Sequence, residues 1–205
     1  MKRCAKCWAA DRRAGVAAST PAREDAPAPL RLAEALAPHL SGLCWAIGGS
    51  LLAWRWGLDV QPRDLDILLA AADFGPALDR LRVRLHEQRI APDPFYATRH
   101  FARLIDADGT QVDVMADLGV RRAGCVASFA FDPDSIVWRD DLPWMRPADW
   151  VRIYELLGRT QQSGKLAEHL RRIQRAVVQP RPVQRDPVAR QLRGSKSSKA
   201  RRNDS

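Results

Sequence analysis

The chain has 205 residues, 46% of them hydrophobic and 28% charged, a globular composition that excludes a fibrous or low-complexity protein. Its longest stretch free of Asp, Glu, Lys, Arg and His, Leu40 to Trp54, falls short of the roughly 20 residues that span a bilayer. The basic start is broken by Asp11, Arg12 and Arg13 before any apolar segment forms, so neither a membrane helix nor a secretory signal is expected, and a cytoplasmic location follows.

The net charge of +9 belongs to the two ends: Lys/Arg outnumber Asp/Glu six to three in residues 1–29 and eight to two in 179–205, and balance at nineteen each between. The expected organisation is a flexible arm over 1–29, a catalytic domain over 30–145, a helical annex over 146–178 and a basic, disordered tail over 179–205. Polyanion contact, RNA included, would fall to the tail. Cys4-Ala-Lys-Cys7 is half of a zinc motif without a second pair, so Cys4, Cys7, Cys44 and Cys125 read as thiols in a reducing compartment.

An amphipathic helix is expected over Leu32 to Leu40, then a strand over Leu43 to Ile47 in which Leu43, Trp45 and Ile47 alternate as in a half-buried strand. Gly48-Gly49 breaks it, and Ser50 is placed to cap a short helix ending near Gly57. Arg63 to Leu69 reads as a second strand with Leu65, Ile67 and Leu69 on one face and Asp64 and Asp66 on the other. Asp73 then caps a helix whose Phe74, Leu78, Leu81 and Leu85 form a buried stripe, with Pro76 in its first turn. Asp108-Gly109 joins Phe95 to Asp106 and Thr110 to Ala116 as a hairpin, with Val112 and Val114 on one side and Asp113 on the other. Phe129 to Trp138 reads as a strand or extended connection. Pro147 opens a helix carrying Trp150, Ile153, Tyr154 and Leu157, and a second stripe, Leu166, Leu170, Ile173 and Val177, completes a helical pair. The fold class is α/β (α+β): a small mixed sheet with flanking helices and a C-terminal helical pair.

Gly48-Gly49-Ser50, the pair Asp64 and Asp66 thirteen residues on, and the strand carrying Asp113 together suit one chemistry. Two aspartates at i and i+2 of a strand point the same way and present hard oxygens to magnesium. A third carboxylate from a neighbouring strand would complete a grip on two ions, or take the proton of an acceptor hydroxyl. The two glycines allow close backbone approach to phosphate, and Ser50 could add a hydroxyl to a phosphate oxygen. Lys165 is the single lysine among the cations of residues 30–178 and a candidate to contact a triphosphate or acceptor; Arg63 reads as structural, Arg99 and His100 lie on the first hairpin arm, and Trp54 could flank a base.

On these residues the chain, over about residues 40–175, resembles the polymerase-beta-like nucleotidyltransferase superfamily, marked by a strand, a Gly-Gly-Ser turn and an Asp-x-Asp shortly after. It looks most like the small bacterial branch of aminoglycoside nucleotidyltransferases and abortive-infection nucleotidyltransferase toxins, which carries an Arg-x-Lys-Asp-x-x-Asp helix. Here Arg159 and Lys165 match it, with an insertion after the arginine, Leu166 in place of the first aspartate and Glu168 in place of the second. The resemblance implies an enzyme moving a nucleoside monophosphate from an NTP, ATP by family habit, to an acceptor hydroxyl, with pyrophosphate leaving. It implies two Mg2+ ions on Asp64, Asp66 and Asp113, nucleotide contacts from Gly48, Gly49, Ser50 and Lys165, and an acceptor that is a small molecule, a tRNA or a protein. The competing readings are a non-catalytic RNA-binding or toxin–antitoxin partner protein acting through the basic tail, with an antitoxin as partner, and a nucleotide sensor that binds without turnover.

Overall fold

The computed structural model describes residues 26–178. The expected arm up to residue 25, the Cys4/Cys7 pair and the basic tail expected to contact RNA lie outside the described residues. By compactness the chain divides into Met1–Arg171 and Arg172–Ser205. The first unit carries the whole sheet; the described part of the second is the end of the last helix.

Helix α1 (Ala28–Leu36) has a proline in its first turn and buries Ala33 and Leu36. Pro38 cannot donate to the next turn, so the chain tightens into a 3₁₀ turn over Ala37–Leu40, and the helix begins and ends earlier than the sequence pattern suggests. The short strand β1 (Trp45–Ile47) is buried on both faces, not half-buried, because it lies inside the sheet. Helix α2 (Gly49–Arg55) follows. Its N-cap is Gly48 without a side-chain cap, so Ser50 sits inside the first turn and does not serve as the cap.

Strand β2 (Asp64–Leu69) shows the expected alternation at its start, with Leu65 and Ile67 fully buried and Asp64 and Asp66 half-buried. Helix α3 (Phe74–Leu81) buries Ala77, Leu78 and Leu81. Asp73 precedes it, but its carboxylate accepts from the Cys44 backbone N–H at 2.8 Å instead of capping the helix. After a short β3 (His86–Gln88), the expected hairpin is present as β4 (His100–Ile105) and β5 (Gln111–Ala116). Gly109 takes φ +81° in its loop, and Asp106 accepts from Asp108 N–H at 2.6 Å.

A second hairpin, β6 (Gly119–Arg122) with β7 (Cys125–Ser128), forms a separate two-stranded sheet turned by Ala123 and Gly124 at positive φ. Phe129 to Trp138, read as a strand or extended connection, holds a 3₁₀ turn at Pro133–Ser135 and the start of β8 (Val137–Arg139), which pairs with β9 (Leu142–Trp144) as a third hairpin. Its two-residue turn uses Asp140 and Asp141 at φ 51° and 58°, the paired positive values that a tight hairpin of this twist requires. Helices α4 (Pro147–Leu156) and α5 (Thr160–Val178) close the order, with proline in the first turn of α4 as expected.

The main sheet runs β3-β4-β5-β2-β1-β9-β8 and is mixed: β2 pairs parallel with β5 and β1 with β9, and the other neighbours are antiparallel. Register puts Leu65 beside Val112 and Ile67 beside Val114, an apolar face against which α1 and α3 pack. On the opposite face Asp64 lies beside Gln111 and Asp66 beside Asp113, so alternation along two strands delivers the carboxylates to one side. Among the described residues no helix is long and apolar enough to cross a membrane.

One ion pair ties the β8–β9 turn to α2: Arg55, 8% exposed, donates to the Asp140 carboxylate. Burial, and then the neighbouring Arg139, hold the Arg55 guanidinium below its ordinary range, so Asp140 offsets a charge the interior disfavours. Asp140→Asn keeps a residue tolerant of positive φ and removes the charge. It is expected to lower Tm in calorimetry by about 3–6 °C; an unchanged Tm would show that the pair contributes nothing.

Candidate functional site

The site is built where β1 ends against β2. The Gly48 N–H donates to the Asp66 carbonyl at 3.0 Å, extending the strand pairing into the glycine turn. Gly49 then takes φ +69°, and a Cβ there would lie 1.8 Å from Asp66 Oδ2. The Asp66 carboxylate occupies the space that Gly49 leaves open. At Gly48 a Cβ would fall 2.1 Å from Cζ3 of Trp150, an α4 residue almost fully buried over the turn. Each glycine is required by a different neighbour, one chemical and one structural.

Around this turn the acidic side chains gather. Ser50 donates from Oγ to Asp64 Oδ1 at 3.3 Å, so its hydroxyl orients a carboxylate in addition to being near enough to the turn to meet a ligand. Burial, then the charges of Asp64 and Asp113, push the Asp66 carboxyl up to about 8, against which Arg159 and Arg103 pull it down. Asp66 thus sits in a field that disfavours its anion, a deficit a cation would relieve.

Asp113 lies beside Asp66 in register, as expected, but its carboxylate is already engaged. Arg103, its direct partner across β4–β5, donates from Nε to Oδ1 at 2.8 Å and from NH2 to Oδ2 at 2.9 Å. The fork draws Asp113 toward β4, on the side away from Asp66. Accordingly, among the described residues no three His, Cys, Asp or Glu side chains are arranged to hold a metal ion. Asp64 and Asp66 do suit one: two hard-oxygen donors on one face, in a field short of positive charge.

The back of the site is aromatic. Trp150 and Tyr154 meet edge-on at 5.9 Å. The Trp150 indole N–H is buried without a well-aligned acceptor, though close enough to the Tyr154 hydroxyl to favour its anion. Burial dominates and raises the Tyr154 hydroxyl above its ordinary value; Asp66 and Asp64 add to the rise and Arg159 opposes it.

The other residues singled out from sequence fall elsewhere. Lys165 is exposed on α5, on the side turned away from buried Ser163 and Leu166, and the cations acting on Asp66 are Arg159 and Arg103. His100 is on the opposite sheet face, its ring against Phe74 at 5.2 Å. Arg99 pairs with Asp117 at 3.7 Å, Arg63 is exposed before Asp64, and Trp54 packs against the core. Arg103 is not among the residues singled out from sequence, and Trp150 and Tyr154 are read there only as part of a helical stripe. The signal for Arg103 was present: a hairpin centred on Asp108 sets Arg103 opposite Asp113.

No family model matches the chain, and no curated protein matches its sequence. Among solved structures, it is similar to a Thermotoga maritima protein proposed to be a nucleotidyltransferase, with a TM-score of 0.55 and 20% identity over 72% of this chain and 96% of the other. The lincosamide antibiotic adenylyltransferase LnuA bound to lincomycin superposes at a TM-score of 0.47 with 13% identity, over 70% of this chain and 94% of that one. The mixed sheet with flanking helices matches the fold of the Thermotoga protein.

Proposed function

We propose that this chain, which has the nucleotidyltransferase fold, transfers a nucleoside monophosphate from an NTP, ATP first among the donors to test, to the hydroxyl of an acceptor not yet identified. One observation carries the reading: the Gly48-Gly49 turn is folded onto the Asp66 carboxylate so closely that any side chain at Gly49 would have to displace it, with Asp64 and Asp113 on the same sheet face. A structural turn needs no carboxylate at its elbow, and a buried carboxylate cluster is disfavoured unless a cation or substrate uses it.

Two Mg2+ ions, when bound, would neutralise the triphosphate and polarise the reacting phosphate. Asp64 and Asp66 are the residues proposed to hold them, with Asp113 as third carboxylate or as acceptor of the hydroxyl proton. Ser50 holds the Asp64 carboxylate in place. Gly48 and Gly49 are proposed to bring the turn's backbone up to the phosphates, their Cβ positions themselves being taken by Trp150 and Asp66. Arg159, whose charge already reaches Asp66 and Tyr154, is better placed than Lys165 to meet the triphosphate, so Lys165 is assigned an outer role toward acceptor or nucleotide. Trp150 and Tyr154 wall the site and exclude water from one side.

The test is incubation with α-labelled NTP and Mg2+ across small-molecule, tRNA and protein acceptors. Label should move to one acceptor class with release of pyrophosphate, and Asp64→Ala with Asp66→Ala should abolish the transfer. Undiminished transfer in the double variant, or none by the wild type across the panels, sinks the proposal. Mg2+-dependent NTP binding without pyrophosphate release would select the sensor instead.

A further inference from the structure

The geometry points to Arg103 as a resident counter-cation that occupies Asp113 and must be exchanged before a divalent ion can use that carboxylate. The inference rests on the metal-site reading of Asp64 and Asp66. Across three neighbouring strands, register sets Asp66 on β2, Asp113 on β5 and Arg103 on β4 in a single row on one face. Asp113 stands in the middle with a choice of partner on either side, and both of its oxygens are taken by the guanidinium.

The pair is partly shielded, with side-chain exposures of 28% for Arg103 and 11% for Asp113, so it is screened less than a surface ion pair. Arg103 also lies over the Phe101 ring at 5.9 Å, which helps hold the fork in place. A planar fork against a carboxylate is a two-bond arrangement that lysine cannot reproduce. Arg103 thereby lowers the metal affinity of the empty site by making the third ligand available only at the expense of an existing pair. A metal–nucleotide complex, whose phosphates offer the guanidinium a replacement anion, meets less of this resistance than the bare ion does. Arg103 is in this sense a positioning residue, acting through Asp113.

Calorimetric titration of the full chain with Mn2+ alone tests the inference without reference to activity. Arg103→Gln is expected to tighten Mn2+ binding about tenfold. Arg103→Lys, with unchanged charge but no fork, should also tighten it, by a smaller factor. Neither gain should survive when Asp113→Asn is added. If the Arg103→Gln gain persists in the Asp113→Asn background, Arg103 acts only as a distant charge and the inference is overturned. It is equally overturned if neither Arg103 variant changes the affinity, including the case in which none of these proteins binds Mn2+ measurably. If wild-type binding is immeasurable and Arg103→Gln makes it measurable, the inference stands. A separate pair, Asp64→Asn and Asp66→Asn, tests the underlying reading: Mn2+ binding that survives both substitutions removes the metal site itself. Circular dichroism and thermal melting confirm that each variant is folded.

Discussion

Asp66→Asn should make the metal-free protein more stable and remove the proposed transfer activity. In the folded chain the Asp66 carboxyl is pushed up to about 8, from an ordinary value of 3.8. The sign follows from proton counting. Between these values the folded state keeps a proton that the unfolded state has released, so stability falls as pH rises from about 4 to about 8 and levels off above. Asparagine presents a neutral group of the same shape at every pH. The stability difference between variant and wild type should therefore be small near pH 4 and largest at pH 8.

Discounted for the half-buried position of Asp66, the gain at pH 8 is expected to be about 2 kcal/mol, or about 4–8 °C in Tm. Adding Mg2+ should stabilise the wild type and flatten its pH profile while leaving Asp66→Asn unmoved. Transfer should fall by about 10²–10³-fold or more. Parallel melting profiles for the two proteins from pH 4 to 8 would show that the carboxylate is not held at a cost to the fold. In that case the strongest physical reason for reading it as functional disappears.

How much of this was legible in the sequence depended on whether local pattern or long-range pairing decided the outcome. The alternation in Asp64–Leu69 and the Asp108-Gly109 turn are local signals, and both appear where the pattern puts them. The two central strands read as half-buried or alternating only in part, because burial on the second face comes from neighbours that arrive much later in the chain: β9 beside β1, and β5 beside β2. The hairpins turned by Ala123-Gly124 and Asp140-Asp141 were missed because their strands are only three or four residues long and lack sustained alternation. Asp73 looked like a helix cap, yet a backbone N–H twenty-nine residues earlier in the chain claimed its carboxylate.

The candidate site divides in the same way. Gly48, Gly49, Asp64 and Asp66 are close in sequence and meet through one strand pairing, so a spacing pattern captures them. Trp150 could not be tied to Gly48 from sequence, since a helical stripe gives the buried face of α4 but not what lies beneath it. Lys165 stands out by composition, whereas position favours Arg159, just before the same helix and within electrostatic reach of Asp66.

The sharpest test of the glycine elbow compares two alanines that strain the backbone alike. Gly42 and Gly49 both lie in the left-handed region, at φ +78° and +69°, so alanine at either costs about 1–2 kcal/mol of backbone energy. The surroundings differ. A Cβ at Gly42 meets nothing within 4 Å, while one at Gly49 lands on Asp66 Oδ2. The end of an aspartate side chain can rotate away, so Gly49→Ala should lose no more than about 2 kcal/mol beyond Gly42→Ala, yet it must move the carboxylate proposed to bind metal. Displacing a reacting group by about 1 Å can cost about 10²-fold in rate. Gly49→Ala is therefore expected to lose at least about 10²-fold in transfer and Gly42→Ala essentially nothing, with melting temperatures no more than about 8 °C apart. Gly48→Ala should behave in the opposite sense, because the buried Trp150 ring has nowhere to go and overpacking costs about 1–3 kcal/mol on its own. Equal activity in the Gly42 and Gly49 variants would mean that the carboxylate at the elbow is not where the chemistry happens.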